Sequence, residues 1–482
     1  MREPRRDNAG GGMTRKGFLL SAGTLGLGYL AGRFLGWPSS GSTAAAPMAI
    51  PEQPVVPARE QAAAMANPEP ESPAAGWINV KKEGALGDGK TNDTEAIRRA
   101  IAKAAKDAGT VYFPAGTYVI RDMLIVAKPM KLIGAGKDSS IIRMAKRNED
   151  AIRINETRDV HISHLQIREV TNNQGGENTG IHVRASHDCT IEHVRVVQSD
   201  DSGVRVGYNR TVPSRNCKVL YCDIEDTRRG SGIELIRSEG TIVLGCTVRR
   251  SLQHGIRLCG AVGAVVTSNQ IYESGTSDIS IQGFGNSDRE VTHPVTDFLV
   301  SHNKCHGKKN GFTIFNNAFT GIISNNIITG SSIGIKMTEP NGYGNRDIQV
   351  LGNTLMENET GVAIFGDQRR IVFQQNTIAN FRRHNGSSGD VYAFDINAEG
   401  KDADLTIEHN SLVNKHAASG DSQVGIRTRN TGRGARIFFR YNQIRFNHPR
   451  DRERYWIESG RGQLVLRLAG QDVDTNTSMS YE

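Results

Sequence analysis

The stretch Gly180-Ile181-His182-Val183 is a short strand pattern, Gly-apolar-x-apolar, that the chain repeats. Its later copies begin at Gly203, Gly232, Gly255, Gly311, Gly334 and Gly361. These starts lie 23, 29, 23, 56, 23 and 27 residues apart, and the gap of 56 contains one further copy, Asp278-Ile-Ser-Ile. A repeat near 23 residues, built on period-2 strands and glycine-containing bends, predicts a single-chain parallel β-solenoid with strands stacked about 4.8 Å apart.

A second repeated feature is an asparagine two residues before an apolar residue. The seven instances are Asn269, Asn303, Asn326, Asn353, Asn376, Asn410 and Asn442. Earlier coils carry apolar residues or cysteine at the same place, namely Leu165, Val194, Cys222 and Cys246. One residue type at one phase indicates an internal ladder, in which each side-chain amide satisfies buried turn amides and bonds to its neighbours above and below.

The repeat also excludes other architectures. No unit holds an apolar stretch long enough for a pair of helices, so helical repeats are excluded. The longest uncharged apolar run, residues 17–32, is too short for a bilayer span, which excludes a polytopic membrane protein. Some segments lengthen individual coils and are predicted to project as loops: 170–179, 207–216, 283–296, 338–347 and 381–390.

A helix is predicted to cover the N-terminal end of the all-β solenoid. Asn92-Asp-Thr-Glu95 is a capping-box pattern before the helical segment 96–108, and Gly109 is the expected stop. Alanine and isoleucine residues form one apolar stripe along this segment. Such a stripe suits a capping helix that closes the open end of a core.

The 482-residue chain carries a formal net charge of +8 and divides into four parts. Residues 1–46 combine a basic start, an apolar segment and small residues, which predicts an export signal or N-terminal anchor. Residues 47–75 form an acidic, Pro/Ala-rich linker. Residues 76–450 are predicted to form the parallel β-helix domain, and residues 451–482 a C-terminal cap and polar tail.

The segment from Thr14 to Leu19 resembles a bacterial twin-arginine export signal in which Lys16 replaces the second arginine. The resemblance implies an exported protein, or one anchored in the cell envelope if the segment is not cleaved. Contact with a membrane is expected only through this segment. The sequence holds no nucleic-acid module, phosphate-binding loop or Ser-His-Asp signature, so nucleic acid is not an expected partner.

A second resemblance covers the predicted domain. Residues 79–94, the helical segment after them and the block from Gly109 to Tyr118 resemble the opening of pectate-lyase-superfamily proteins, which include polygalacturonase-related and tailspike-like proteins. The coil pattern extends the likeness over residues 77–450. The resemblance implies a right-handed parallel β-helix and a polysaccharide substrate on its outer face. It does not fix the chemistry, because such scaffolds include lyases, hydrolases, epimerases and binding proteins.

Strand alternation places one row of side chains on the outer face of the Gly-containing strands, because the residue before each of them points inward. The row contains His182, Arg205, Glu234, Arg257, Ser280, Thr313, Lys336 and Ala363. One interpretation is a solvated face on which Arg205, Glu234 and Arg257 pair with one another. The other is a groove in which His182, Arg205 and Lys336 bind an acidic polymer, with arginine holding carboxylates in a bidentate manner.

The groove interpretation favours lyase chemistry, since β-elimination begins with removal of a proton next to a carboxylate. A desolvated arginine of the row, such as Arg257, or His182 is a candidate for that step. Asp200, Asp201 and Glu234 are hypothetical ligands for Ca²⁺, which would neutralise the substrate carboxylate. No ligand spacing is diagnostic, so calcium remains a hypothesis.

A hydrolase is the alternative enzyme. Residues 178–180, Asp200-Asp201 and Gln253-His254-Gly255 are similar in order to polygalacturonase motifs. However, Thr179 and Ser202 stand where carboxylates are expected. Inverting hydrolysis needs two carboxylates about 6.5–9.5 Å apart, and Asp201 with Asp200 or Glu234 is the candidate pair. An acidic turn and a packed histidine are the structural alternatives for Asp200-Asp201 and His254.

The cysteines show no CxxC spacing and no zinc-like cluster. They are predicted to be buried residues stacked on neighbouring coils, although an exported compartment also permits disulfides. The six are Cys189, Cys217, Cys222, Cys246, Cys259 and Cys305.

These patterns together predict an exported enzyme that acts on an acidic polysaccharide, by β-elimination in preference to hydrolysis. The candidate catalytic residues are Asp200, Asp201, Glu234, His254 and Arg257. A non-catalytic carbohydrate-binding or surface protein is the alternative from another class.

Overall fold

The structure is a computed structural model that describes residues 74–475, apart from residues 147, 172–177, 209–211, 288–289, 341, 385–389, 415–421, 447–454, 458–462 and 469–470. The predicted export signal, residues 1–46, and nearly all of the linker 47–75 lie outside the described residues. So does the end of the predicted tail, residues 476–482.

Three long sheets wind around one core, and each full coil contributes one strand to each sheet. Sheet 1 consists of Ile78–Asn79, Thr110–Phe113, Met130–Gly134, Val160–Ser163, Thr190–Glu192, Lys218–Leu220, Ile242–Leu244, Val265–Thr267, Val295–Ser301, Ala318–Ser324, Asn345–Leu351, Gln368–Gln374, Asp404–Glu408, Arg436–Arg440, Gln463–Leu468 and Gln471–Thr475. Sheet 2 consists of Asp88–Asn92, Gly116–Ile120, Ser140–Met144, Gln166–Val170, Arg195–Ser199, Asp223–Glu225, Thr247–Arg249, Gln270–Tyr272, Lys304–His306, Ile327–Thr329, Thr354–Met356, Thr377–Ala379, Ser411–Asn414 and Gln443–Phe446. Sheet 3 consists of Leu124–Val126, Ile152–Asn155, Ile181–Arg184, Val204–Gly207, Ile233–Ile236, His254–Cys259, Ser277–Gln282, Asn310–Phe315, Ile333–Thr338, Thr360–Phe365, Asp390–Asn397, Ser422–Arg429 and Tyr455–Ile457.

Parallel register stacks equivalent residues of successive coils. Ile181 pairs with Val204, Val204 with Ile233, and Ile233 with Ile256, and all four side chains are fully buried. The repeat in the sequence is therefore the repeat of the coils, and the predicted all-β parallel β-helix is confirmed. The crossover connection between two parallel strands of one sheet is right-handed in nearly all proteins. This rule agrees with the right-handed helix that the resemblance implies.

The glycine at the start of each repeat is required by a close approach between coils. A Cβ atom on Gly203 would lie 2.3 Å from Ile224 Cγ2 and 2.8 Å from the carbonyl oxygen of Gly232. A Cβ atom on Gly255 would lie 2.7 Å from the carbonyl oxygen of Asp278. A side chain at either position would displace the backbone of the next coil, which explains why glycine recurs there.

The predicted asparagine ladder is confirmed. Asn303 donates its side-chain N–H to Asn326 Oδ1 at 3.0 Å, and Asn326 donates in the same way to Asn353 Oδ1 at 2.9 Å. The backbone N–H groups of Asn303 and Asn326 bond to the same two oxygens. The remaining members of the predicted set continue the ladder, at Asn269, Asn376, Asn410 and Asn442.

The predicted N-terminal helix, α1, forms over Thr94–Ala104 and buries its apolar face. The predicted capping box does not form in full: Asn92 Oδ1 accepts the backbone N–H of Thr94 at 3.3 Å, but Glu95 binds Arg98 and the Asp93 side chain makes no capping hydrogen bond. The Asp93 carboxylate instead accepts the backbone N–H groups of Leu86 and Gly87, at 2.7 and 3.1 Å. The helix also ends four residues before the predicted position at 108. Its role as a cap stays a prediction.

Segments outside the regular coils also have structure. The predicted loop 283–296 contains an antiparallel hairpin of Phe284–Ser287 and Glu290–His293. The parallel sheets continue past the predicted boundary at residue 450, because Tyr455–Ile457 joins sheet 3 and Gln463–Leu468 joins sheet 1. Gln471–Thr475 then forms an antiparallel pair with Gln463–Leu468. None of the helices in the described part of the chain is long and apolar enough to cross a membrane.

Candidate functional site

The predicted row of side chains exists on the outer face of sheet 3. His182 lies beside Arg205, Arg205 beside Glu234, and Glu234 beside Arg257. The row then continues in register through Ser280, Thr313, Lys336, Ala363, Asp395 and Arg427. At about 4.8 Å per step, it follows the axis of the solenoid.

The charged part of this row is buried rather than solvated. Arg205 is 4% exposed and Glu234 is 2% exposed. Arg205 donates to Glu234 Oε2 from Nε at 2.9 Å, and its Nη2 lies 2.8 Å from the same oxygen and 2.7 Å from Asp201 Oδ2. The hydroxyls of Ser202 and Ser231 donate to the two oxygens of Glu234 at 2.8 and 3.1 Å. Both oxygens of this carboxylate are therefore engaged.

The two carboxylates that share Arg205 have pKa values displaced in opposite directions. Burial acts to raise the pKa of Glu234, but the positive charges of Arg205 and Arg257 and the hydrogen bonds to the carboxylate lower it to about 2. For Asp201, burial dominates and, together with the charge of Glu234, raises the pKa above its usual value despite the contact with Arg205. Glu234 is thus a fixed anion, whereas Asp201 gains a proton more readily.

Arg257 has a longer contact to Glu234 than Arg205 has, and it also binds the amide of Gln282. Its Nη1 lies 3.4 Å from Glu234 Oε1, and its Nη2 lies 3.6 Å from Cys259 Sγ. The amide of Gln282, with its oxygen turned toward the guanidinium, accepts from Nε at 3.2 Å. The side chain of Arg257 is 13% exposed. We call the four residues Asp201, Arg205, Glu234 and Arg257 the central cluster.

His254 lies in the same strand as Arg257 and is largely buried. Its Nδ1 atom is inaccessible to solvent and has no hydrogen-bond partner among the described residues. Burial and the positive charge of Arg257 lower the pKa of the imidazole to about 3, against a smaller opposing effect of Glu234. The ring is therefore neutral at physiological pH, with one nitrogen available as an acceptor.

His182 occupies a structural position. Its side chain is fully buried, with Nδ1 3.0 Å from Asp150 Oδ2 and Nε2 3.0 Å from the carbonyl oxygen of Gly207. Arg153 donates to the same Asp150 oxygen at 2.7 Å. Burial acts to raise the pKa of Asp150, but His182 and Arg153 more than offset it and hold that pKa below its usual range. Both ring nitrogens of His182 are engaged inside the protein, which does not support contact with a substrate. Substrate binding by His182 stays a prediction.

The hypothetical calcium ligands are not brought together. Asp200 Oδ1 lies 3.8 Å from Arg228 Nη1, whereas Asp201 and Glu234 bind Arg205, whose positive charge occupies the space between them. No group of three or more His, Cys, Asp or Glu side chains in the described part of the chain has the arrangement of a metal site. The residues present therefore do not fit the calcium site that the sequence suggested.

Of the polar residues that surround the central cluster, Asp150 and Ser231 were not predicted from the sequence, whereas His254 was a predicted catalytic residue. Asp150, Ser202, Ser231 and His254 all lie two residues before an inward-facing residue of sheet 3, and so share one coil position. Extending the repeat back by one coil, to Ile152, would have found this polar column. The six cysteines are buried, as predicted, and all six are free thiols.

The fold is a parallel β-helix similar to that of pectate-lyase-like proteins. Residues 77–279 match the family model described as Rhamnogalacturonase A/epimerase, pectate lyase-like, which confirms the resemblance to the pectate lyase superfamily. The A-module of mannuronan C-5 epimerase AlgE4 from Azotobacter vinelandii has a similar structure, with a TM-score of 0.60 at 20% identity, over 76% of this chain and 99% of that module. At this identity the likeness concerns the fold alone.

Two curated relatives also come from Azotobacter vinelandii. Alginate lyase 7 is 32% identical over 140 residues, which cover 24% of this chain and 16% of that protein. Mannuronan C5-epimerase AlgE1 is 30% identical over 249 residues, which cover 48% of this chain and 15% of that protein. The chain therefore matches only a small part of the length of these relatives.

Proposed function

We propose that the chain is an enzyme that acts on a uronate-containing polysaccharide and begins by removing the proton next to a uronate carboxylate. The observation that carries this proposal is the neighbourhood of His254 and Arg257. There, a neutral imidazole lies in the same strand as Arg257, the arginine of the central cluster with the longer contact to a carboxylate. The relatives, an alginate lyase and a mannuronan epimerase, support the substrate class, since alginate and mannuronan are uronate polymers.

The proton next to a carboxylate is weakly acidic, so its removal needs both a base and a partner for the carboxylate. Arg257 pairs with the substrate carboxylate and disperses the charge that develops there. The neutral imidazole of His254 accepts the proton as the C5–H bond breaks. The electron pair forms the C4–C5 double bond, the C4–O bond breaks, and the departing oxygen takes a proton from solvent. This β-elimination leaves an unsaturated uronate at the new chain end.

Epimerisation is a second candidate, because it shares the first step. After proton removal, return of a proton to the opposite face of C5 inverts that carbon and leaves the chain intact. The observation that favours it is the length of the match to the mannuronan epimerase, 249 residues against 140 for the alginate lyase.

A hydrolase has less support from the site. An inverting pair needs space for a water molecule between its carboxylates, at a separation of about 6.5–9.5 Å. Asp201 and Glu234 instead contact the same Arg205 nitrogen, at 2.7 and 2.8 Å, so the guanidinium fills the space between them. Glu234 is also held as an anion, which removes it as a general acid.

The proposal is tested with His254→Gln and Arg257→Ala in the full chain, against polymannuronate, alginate and pectate. We expect His254→Gln to lower kcat by about 10²–10⁴-fold, because the base is lost, and Arg257→Ala to raise KM as well. His306→Gln, which changes a histidine on the outer face of sheet 2, is the matched control and retains full activity. An ultraviolet-absorbing product indicates elimination, and inversion at C5 detected by NMR indicates epimerisation.

The pH profile adds a second criterion. A base whose pKa is about 3 is already unprotonated at higher pH, so kcat/KM of the wild-type chain stays level between about pH 5 and pH 8. Full activity of His254→Gln would remove this residue from the mechanism. New reducing ends without ultraviolet absorbance would indicate a hydrolase, and binding without any product would indicate a carbohydrate-binding protein.

A further inference from the structure

The row on sheet 3 contains a second group of charged residues, toward its C-terminal end, that the proposed reaction does not use. Arg427 donates to both oxygens of Asp395, from Nε at 2.9 Å and from Nη2 at 2.7 Å, and from Nη1 to the Tyr392 hydroxyl at 2.6 Å. Its guanidinium carbon lies 3.8 Å from the centroid of the Tyr392 ring. These contacts fix Arg427 in one orientation.

Two further cations lie on this face with fewer contacts to carboxylates. Arg429 reaches Asp395 Oδ2 from Nη2 at 3.3 Å, and its Nε is buried without a partner among the described residues. Lys336 is half-buried, and none of the described acidic side chains lies within ion-pair distance of it. Its ammonium group lies 5.6 Å from the centroid of the Phe365 ring. We call Lys336, Tyr392, Asp395, Arg427 and Arg429 the distal cluster.

The distal cluster differs from the central cluster in its charge balance. In the central cluster, two arginines face two carboxylates. In the distal cluster, Arg427 and Arg429 share the single carboxylate of Asp395, and Lys336 adds a third cation along the same row. The carboxylate of Asp390 lies 3.4 Å from the Tyr392 hydroxyl, and counting it still leaves three cations for two carboxylates. Partly buried cations in excess of their counter-ions attract an anionic ligand.

The spacing along the row suits a linear polyanion. Arg257 and Lys336 are three coil steps apart, and so are Lys336 and Arg427, which is about 14 Å in each case. The cations therefore follow one line along the axis of the solenoid. A polyuronate carries carboxylates along its whole length, so one chain can reach both clusters.

We propose that the distal cluster is a second carboxylate-binding subsite, and that a uronate polymer lies along the solenoid axis from the central to the distal cluster. The inference rests on the proposed function, because that function places a uronate at Arg257. Asp395 and Tyr392 hold Arg427 in a fixed orientation in this subsite. Lys336 and Arg429 donate hydrogen bonds to the carboxylates of the polymer.

The test is the length dependence of binding to the full chain, measured by calorimetry with oligomannuronates from dimers to long oligomers. We expect affinity for the wild type to rise until the oligomer spans both clusters. Lys336→Ala and Arg429→Gln then bind long oligomers about ten-fold more weakly, and their affinity stops rising at a shorter length. Lys304→Ala, which removes the same charge from an exposed position on sheet 2, retains the wild-type dependence.

The outcomes separate this inference from the proposed function. If long oligomers bind both variants as tightly as the wild type, while Arg257→Ala weakens binding, the distal subsite is wrong and the proposed function stands. If the wild type binds no oligomannuronate and no oligogalacturonate, both proposals are overturned. Circular dichroism and the melting temperature of each variant show whether its fold is retained, so a weaker affinity is assigned to the lost side chain.

Discussion

Asp278 occupies the coil position that glycine holds in the neighbouring coils. Its carboxyl group points into the core and is fully buried, and neither oxygen has a hydrogen-bond partner among the described residues. A Cβ atom on Gly307 would lie 2.6 Å from Asp278 Oδ2, so the missing side chain at Gly307 makes room for the carboxyl group. Burial raises the pKa of Asp278 to about 8, partly offset by the polar groups of nearby Ser274, which lie close to the carboxyl group but outside good hydrogen-bond geometry. Two departures from the repeat thus compensate for each other.

This carboxyl group makes stability depend on pH. Between about pH 4 and pH 8 the unfolded chain has lost the proton that native Asp278 keeps, so the free energy of unfolding falls as pH rises, by up to about 1.4 kcal/mol per unit. Above pH 8 the loss is complete. We therefore expect Asp278→Asn, which cannot ionise, to stabilise the protein by a few kcal/mol at pH 8.5 and by much less at pH 4. Guanidinium denaturation at the two pH values measures this difference, and an equal effect at both would contradict it.

At the scale of elements, the asparagine ladder ties each coil to the next. Each ladder amide satisfies backbone groups that no strand pairing reaches: Asn326 donates to the carbonyl oxygen of Val300 at 3.0 Å, while its Oδ1 accepts both N–H groups of Asn303. Earlier coils fill the same position with apolar residues such as Leu165 and Val194, which are fully buried. The ladder therefore strengthens the later part of the solenoid, where longer connections separate some coils.

Asn326→Ala tests this contribution. The substitution leaves two donors of Asn303 and one carbonyl group buried without partners, at a cost of about 1–3 kcal/mol for each unsatisfied group. We expect a total loss of about 2–4 kcal/mol in the free energy of unfolding, because the coil relaxes partly. Gln349→Ala, on the exposed face of sheet 1, is the control and changes stability by less than about 0.5 kcal/mol. Equal melting temperatures for the two variants would show that the ladder contributes little.

At the scale of the whole molecule, stacking turns a local repeat into one long face. Each coil contacts only its neighbours, so a site that spans several coils is assembled from residues that are far apart in sequence. The central and distal clusters lie on the same row of sheet 3 for this reason. A long row of this kind suits a polymer, and a polysaccharide too large to enter a cell would require an exported enzyme. We therefore extend the proposal to export through residues 1–46.

Export is tested by joining residues 1–75 to a reporter enzyme that is active only outside the cytoplasm. We expect reporter activity, and its loss when Arg15 and Lys16 are both replaced by glutamine, because the basic pair of the signal is removed. Insensitivity to that double change, with activity retained, would indicate ordinary secretion. Reporter activity no higher than that of an unfused reporter would contradict export.

The coil repeat, the asparagine ladder and the row from His182 to Ala363 could be predicted from the sequence, because each depends on a periodicity of residues that lie close together along the chain. Which members of the row are buried, and which of them pair, depends on the folded arrangement of the coils. Arg205 joins Asp201, four residues before it, to Glu234 in the next coil, and His182 binds Asp150 in the preceding coil. Such contacts depend on desolvation and on which segments cover the face. No local pattern contains that information, so the row was predicted and its burial was not.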